Sequence, residues 1–221
     1  MQIIIFGSPG VGKGTQAKIL NNRLAIPHIS TGDLLRDAYR NKTPLGLKAH
    51  ELIERGELVP DNIMIDLMRE MLREKAYQNG FILDGFPRTV SQAEALEKLF
   101  KELNFNHTVV LMMQAEEDEI VKRLTNRRTC SSCNNIFTHD KVKGLDTCPN
   151  CGAKGTLYQR NDDKEEVIRK RIKIYEESTL PVLNYMRAKE KIYFINALNP
   201  VDEVTEEIIK ILQGVKEDIT V

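Results

Sequence analysis

The stretch Gln2–Gln16, "QIIIFGSPGVGKGTQ", decides how the rest of the chain is read. Its first five residues form an apolar, β-branched run ending at a glycine loop, the pattern of a buried central strand in a parallel sheet. Gly7, Gly12 and Lys13 then match G-x-x-x-x-G-K after a strand and before a helix, the context that a phosphate-cradling loop requires. Glycines let backbone N–H groups curl around an anion, and the following helix N-terminus adds partial positive charge. Lys13 then reaches the β- and γ-phosphates. The competing reading is a glycine turn that binds nothing. Gly14 stands where such loops usually carry a hydroxyl, with Thr15 next, so a divalent ion here is held mostly by phosphates and water.

Outward from this loop, strands alternate with helices. Strands are expected at His28–Ser30, Phe81–Asp84, Thr108–Met113 and Ile192–Asn196, giving five in all. Helices are expected over Thr15–Leu24, Asp33 to about Arg55 with breaks, Asp61 to about Gln78, Val90–Leu103, Glu116–Asn126, Lys164 to about Lys189 with a bend at Pro181, and Val201–Gly214. Thr31 or Asp33 is expected near one helix cap, and Asp61 at another. The fold class is α/β, a phosphate-loop, five-stranded parallel sheet with helices on both faces. Ligands of such sheets sit at the carboxyl ends of the strands. There the chain carries "GSPGVGKGT", "STGD" and "DGFPR", so three polar motifs converge on one crevice. Asp84 closes a strand in that crevice and is a candidate for holding a metal's water shell, or else a turn-capping aspartate.

All four cysteines lie in "TCSSCNNIFTHDKVKGLDTCPNCG", as Cys130/Cys133 and Cys148/Cys151 with fourteen residues between the pairs. Two C-x-x-C pairs at this spacing signal a structural zinc site, with an iron–sulfur or redox centre and free thiols as alternatives. Four thiolates close the shell and leave His139 and water outside it. A small ribbon buries too little apolar surface for its own core, so the metal's task is stability.

Lys plus Arg and Asp plus Glu are 32 each, and the formal net charge is zero. Within residues 126–163, Arg127, Arg128, Lys141, Lys143, Lys154 and Arg160 face Asp140, Asp146, Asp162 and Asp163. Zinc with four thiolates adds about −2 and cancels the excess, which argues against a nucleic-acid partner. No run approaches the ~20 apolar residues of a membrane span, and the N-terminus has no secretory pattern. Reduced cysteines and these features suggest a cytoplasmic, soluble protein.

Taken together, "GSPGVGKGT", "ISTGDLLR" and "GFILDGFPRT", followed by "RLTNRR", "YQRNDD" and "RKRI", resemble the adenylate kinase family, in its long-lid type whose lid binds zinc. The likeness runs essentially end to end. It implies a core of residues 1–29, 60–126 and 164–221, a helical AMP-binding insert at 30–59 and a zinc-ribbon lid at 127–163. It implies the reaction MgATP + AMP ⇌ MgADP + ADP, with Mg²⁺ entering on ATP, and a monomer. By motif, Gly10, Val11, Gly12, Lys13, Gly14 and Thr15 fall on ATP. Ile136 and Phe137 border its adenine, with Arg123 over it and Asn199 nearby. Thr31, Arg36, Glu57, Leu58, Val59, Gly85, Phe86, Pro87, Arg88 and Gln92 fall on AMP. Arg127 approaches ATP, and Arg160 and Arg171 the phosphates, as the lid shuts. Hinges are expected near Asn126 and Lys164. Around "NALNP" the sequence departs from the family's usual glycine-bearing form.

Phosphoryl transfer is mainly positioning and charge stabilisation, so Lys13, Arg88, Arg123, Arg127, Arg160 and Arg171, with Asp84, are the expected catalytic residues, and Arg36 on the AMP side helps to offset the phosphate charge. The AMP phosphate is already an anionic nucleophile, so no general base is expected and the four histidines receive no direct role. Thr31 and Gln92 suit a purine amino edge. Relatives acting on UMP and CMP resemble this pattern but carry a shorter lid without cysteines. Rival readings are a nucleic-acid-binding ATPase and a zinc-sensing switch. The kinase reading requires Lys13, Arg88 and Arg160 to share one cavity.

Overall fold

A computed structural model describes residues 1–220. Five parallel strands form the main sheet: β1 (Gln2–Phe6), β2 (His28–Ser30), β3 (Phe81–Asp84), β4 (Thr108–Gln114) and β8 (Ile192–Asn196), in the order β2-β3-β1-β4-β8. The central position of β1 follows from its composition, since all five of its residues are buried. Side chains alternate across a strand, so each strand feeds two cores. Ile4, Phe6, Phe81, Leu83, Val110 and Met112 point into one core, and Ile3, Ile5, Ile82, Val109, Leu111 and Met113 into the other.

Helices on the two faces supply the complements. α1 (Lys13–Leu24) and α10 (Val201–Thr220) bring Ala17, Leu20, Val204, Ile208 and Leu212 to the second face. α4 (Asp61–Leu72), α5 (Val90–Glu102) and α9 (Leu180–Arg187) bring Met64, Met68, Leu72, Leu96, Leu99, Val182 and Leu183 to the first. α6 (Glu117–Thr125) and α8 (Glu165–Ile174) pack against each other through Ile120, Leu124, Ile168 and Ile172, beneath the ribbon.

Two excursions leave the sheet. The first contains α2 (Thr31–Arg40) and α3 (Pro44–Glu54). The second is an antiparallel ribbon in the order β6-β5-β7, from β5 (Arg127–Cys130), β6 (Ile136–Thr138) and β7 (Leu157–Tyr158), with a one-turn helix α7 (His139–Val142). Its two C-x-x-C turns face each other across these strands.

Several local expectations are corrected. Ser30, rather than Thr31 or Asp33, caps α2, its hydroxyl accepting from the Asp33 N–H at 3.3 Å. Asp61 is the first residue of α4 and makes no cap bond. Its carboxylate accepts instead from Thr89 Oγ1 at 2.8 Å and Gln92 Nε2 at 2.7 Å, tying α4 to the start of α5. α4 ends at Leu72, and a single 3₁₀ turn, Lys75–Tyr77, covers the rest of that stretch. The helix expected over 164–189 is three pieces, because Pro181 lacks an N–H and its ring crowds the preceding turn; a π-helical turn at Tyr175–Thr179 absorbs the mismatch between α8 and α9.

α2 and α3 approach so closely that a Cβ on Gly46 would lie 2.2 Å from the Ala38 carbonyl carbon. At Gly214, exposed on α10, a Cβ meets nothing within 4 Å. Alanine favours a helix by about 1 kcal/mol over glycine. Gly214→Ala is therefore expected to raise the thermal midpoint by roughly 2 °C, and Gly46→Ala to lower it by about 2–8 °C through overpacking. Differential scanning calorimetry of both variants checks the opposite signs.

Candidate active site

At the carboxyl ends of the strands lies one cavity of 1020 Å³. Every nucleotide-site residue singled out in the sequence lines it, from Gly10 to Asn199, including Lys13, Arg88 and Arg160 together. The three motif ends are brought side by side by sheet register, Ser30 and Ile5 both pairing with Asp84.

The phosphate loop is built by backbone conformations that other residues resist. Gly10 and Gly12 have φ of 82° and 111°, and a Cβ on Gly10 would lie 2.6 Å from Leu124 Cγ. Lys13 Nζ folds back on the loop, donating to the carbonyls of Gly7 at 2.7 Å and Ser8 at 3.0 Å. Burial, with Arg88, Arg171 and Arg127 adding repulsion against the pull of Asp84, brings its pKa down to about 8. Gly14 faces Asp84: a Cβ there would stand 3.4 Å from Asp84 Oδ2, so glycine leaves room between loop and carboxylate. Thr15 is exposed. Burial pushes Asp84 upward, but His28, Lys13 and Arg88 outweigh it and keep the carboxyl below its usual range.

The arginines arrive from separate elements, most of them held by an acid or a carbonyl. Arg36 Nη2 lies 2.5 Å from Asp33 Oδ1, one helical turn earlier on α2. Arg88 Nε donates to Gly85 O at 2.7 Å. Arg127 grips Asp163 bidentately at 2.8 and 2.6 Å, and Arg171 Nη1 reaches Asp162 Oδ2 at 3.0 Å. Arg160 Nε donates to Thr129 Oγ1 at 3.1 Å, and its Nη2 lies 4.0 Å from Asp33 Oδ1. Burial and the charges of Arg36 and Arg127 lower its pKa to about 10. Burial alone would raise Asp162, yet Arg171, Arg127 and Arg160 hold it below the carboxylate range, whereas burial pushes the fully enclosed Asp163 up despite Arg127.

Arg123 is clamped by Glu119 at 2.9 Å and by the Ala197 carbonyl at 2.9 Å, on the same side of the cavity as Asn199. Ile136 and Phe137 of β6 also line the cavity. Across the cavity, Thr31 donates to Gly85 O at 3.0 Å, and Gln92 Oε1 accepts from the Arg88 N–H at 2.7 Å while its amide nitrogen holds Asp61. Leu58 and Val59 line this end, and the Glu57 carboxylate turns to Lys170 of α8 at 2.7 Å.

Sequence reasoning gave no role to Asp162, Asp163 or His28. The first two stand in the quoted motif "YQRNDD", and their adjacency to Arg160 was the available signal. His28 Nε2, buried without a hydrogen-bond partner, lies 3.6 Å from Asp84 Oδ2; only its place opposite β3 in the sheet reveals it.

The four Sγ atoms of Cys130, Cys133, Cys148 and Cys151 lie within 4.8 Å of one another and could hold a metal ion. Cys130–Cys151 and Cys133–Cys148 are each 3.8 Å apart. His139 is not among the grouped ligands. No helix among the described residues is long and apolar enough to cross a membrane.

A phosphate loop on a parallel sheet, two excursions from its carboxyl edge and a shared ring of arginines define a nucleoside monophosphate kinase. The family model described as adenylate kinase matches residues 5–191. The chain is 45% identical to an adenylate kinase of Thermosipho africanus over 96% of this chain and 100% of that protein. It is 44% identical to one of Archaeoglobus fulgidus, over 98% and 100%, and 45% identical to one of Methanocella arvoryzae, over 94% and 96%. This chain belongs to the adenylate kinase family.

The lowered pKa of Lys13 has a measurable sign. An anion paired with the ammonium raises its pKa again, so binding draws in a proton once the free lysine has begun to titrate. Affinity for a polyphosphate is expected to be level in this respect below pH 8, then to fall by up to about tenfold per pH unit above it. Calorimetric titration of tripolyphosphate in two buffers of different ionisation heat reads both the affinity and the proton uptake.

Proposed function

We propose that this protein transfers the γ-phosphoryl group of MgATP to AMP, reversibly, giving two ADP, as a monomer in the cytoplasm. The observation that carries the reading is the single cavity lined by Lys13 and six arginines drawn from core, insert and ribbon. MgATP and AMP bring roughly six negative phosphate charges together, which repel by several kcal/mol per close pair in a partly dry site. Cations of fixed geometry offset this. Arginine is suited to it because its planar fork bonds two oxygens and does not deprotonate.

In this reading ATP lies along Gly10–Thr15, with Ile136, Phe137, Arg123 and Asn199 around the adenine. AMP lies between α2 and the segments 57–59 and 85–92, its base toward Thr31 and Gln92 and its phosphate on Arg36 and Arg88. Lys13 leaves the loop carbonyls for the β- and γ-phosphates. Mg²⁺ enters with ATP and neutralises phosphate charge; Asp84, ionised and facing the space beside Gly14, orients its waters. Arg127, Arg160 and Arg171 exchange part of their bonding to Asp163, Asp33 and Asp162 for phosphate oxygens as residues 127–163 close. Closure about Asn126 and Lys164 keeps water from the γ-phosphate. Asn126 is the C-cap of α6 and Lys164 the N-cap of α8, positions that support hinges at the junctions of helix and ribbon.

The lid metal is zinc in this reading. Zn–S bonds of about 2.3 Å in a tetrahedron put sulfurs about 3.8 Å apart, the spacing of two of the thiol pairs. Cys130 and Cys148 are buried, and four soft ligands leave no position for water or substrate, so the ion's part is to stiffen the lid.

A coupled assay for ADP with MgATP and each of AMP, UMP, CMP and GMP tests the reaction: AMP is expected to be turned over fastest, and faster turnover of UMP would overturn the assignment. Arg88→Ala is expected to lose about 10²–10³ in rate with little change in melting temperature. Unfolding the holoprotein is expected to release one zinc ion per chain to a chromogenic chelator. Cys148→Ala should abolish that release and lower the melting temperature by about 5 °C or more.

A further inference from the structure

The turn Cys130–Cys133 and the residue after it serve as a docking point for the other two parts of the molecule. The Ser131 carbonyl accepts a close hydrogen bond from Arg40 Nη1, and Asn134 Oδ1 accepts one from Arg40 Nη2 at 2.8 Å. The Asn134 carbonyl accepts from Lys18 Nζ at 2.8 Å. Arg40 ends α2 in the insert, and Lys18 belongs to α1 in the core. The knuckle is shaped to offer these acceptors. Asn134 takes a left-handed conformation at φ 56°, its N–H bonds Cys130 O at 3.0 Å, and the Cys130 N–H bonds Asn135 O at 3.0 Å.

Arg40 is not an isolated surface contact. It lies four residues after Arg36 on α2, so the two guanidinium groups rise from one side of a single rigid helix. Each is steadied by an aspartate three residues earlier: Asp33 for Arg36, and Asp37, in close contact, for Arg40. Arg36 faces the cavity, while Arg40 reaches the tip of the ribbon. An anion seated on Arg36 fixes α2, and fixing α2 fixes the donor that meets the knuckle.

We propose that Arg40 and Lys18 are positioning residues that seat the lid through its metal knuckle, and that Arg40 makes occupancy of the AMP side strengthen binding on the ATP side. This rests on the proposed function. The two residues differ in what they connect. Lys18 joins lid to core and acts whether or not AMP is bound. Arg40 joins lid to insert and acts only when both nucleotides hold their parts inward. Such coupling is reciprocal, so ATP tightens AMP by the same factor.

The test uses the zinc-loaded full chain and an unreactive β,γ-imido analogue of ATP, titrated with Mg²⁺ in the absence and presence of saturating AMP. Wild-type protein is expected to bind the analogue about fivefold more tightly when AMP is present. Arg40→Ala is expected to keep the affinity measured without AMP and to lose the tightening, and Arg40→Lys to recover part of it. Lys18→Ala is expected to weaken the analogue about fivefold under both conditions. Arg40 is exposed and Lys18 is half-buried at the cavity's edge, and unchanged melting temperatures verify folding of both variants. Full tightening in Arg40→Ala, or a Lys18→Ala defect seen only with AMP, overturns the proposal, as does a turning-over wild type that shows no tightening. A wild type that fails to convert AMP at all instead overturns the proposed function.

Discussion

Six arginines and a lysine face one cavity, and their mutual repulsion is the constraint that the remainder of the structure accommodates. At separations of about 4 Å, two like charges in a protein-like medium oppose each other by about 4 kcal/mol. The chain answers by giving most of these cations a nearby partner. Asp33 sits one turn before Arg36, Asp163 is gripped by Arg127, Asp162 lies against Arg171, and Glu119 lies one turn before Arg123. Each pairing offsets part of a guanidinium's charge inside the cavity. Lys13 takes the other course, resting on neutral carbonyls with a depressed pKa.

Distributing these charges over several bodies serves the same end. The sheet core holds Lys13, Arg88, Arg123 and Arg171, the helical insert holds Arg36, and the ribbon contributes Arg127 and Arg160. The sheet, buried from both faces, supplies the rigid member against which the others are placed. The ribbon is too small to keep its shape by burial alone, and its grouped thiols offer a metal site in place of an apolar centre.

Much of this was legible in the sequence for a definite reason: the informative residues are consecutive. The loop 7–15 encodes its own backbone path in glycines, and the strand 2–6 encodes its central place in unbroken apolar character. The cysteine pairs carry their spacing on their face. What escaped reading depends on residues far apart in the chain. That Asp61 turns from its own helix to hold Thr89 and Gln92, or that His28 lies beside Asp84, follows from helix packing and sheet register. Neither leaves a local pattern. Pro181 announced a distortion of its helix, but the π turn that relieves it begins six residues earlier, where nothing in "YEEST" marks it. The paired aspartates 162 and 163 were visible as letters, but their burial against Arg127 and Arg171 was not.

Gly10 rests directly on Leu124 of α6, so closely that no larger residue fits between them. Because α6 leads directly into the first strand of the ribbon, the glycine loop and the base of the ribbon are packed into one piece. The first strand of the ribbon thus springs from a helix braced against the loop itself, so the register between loop and ribbon base is set by one contact, Gly10 on Leu124.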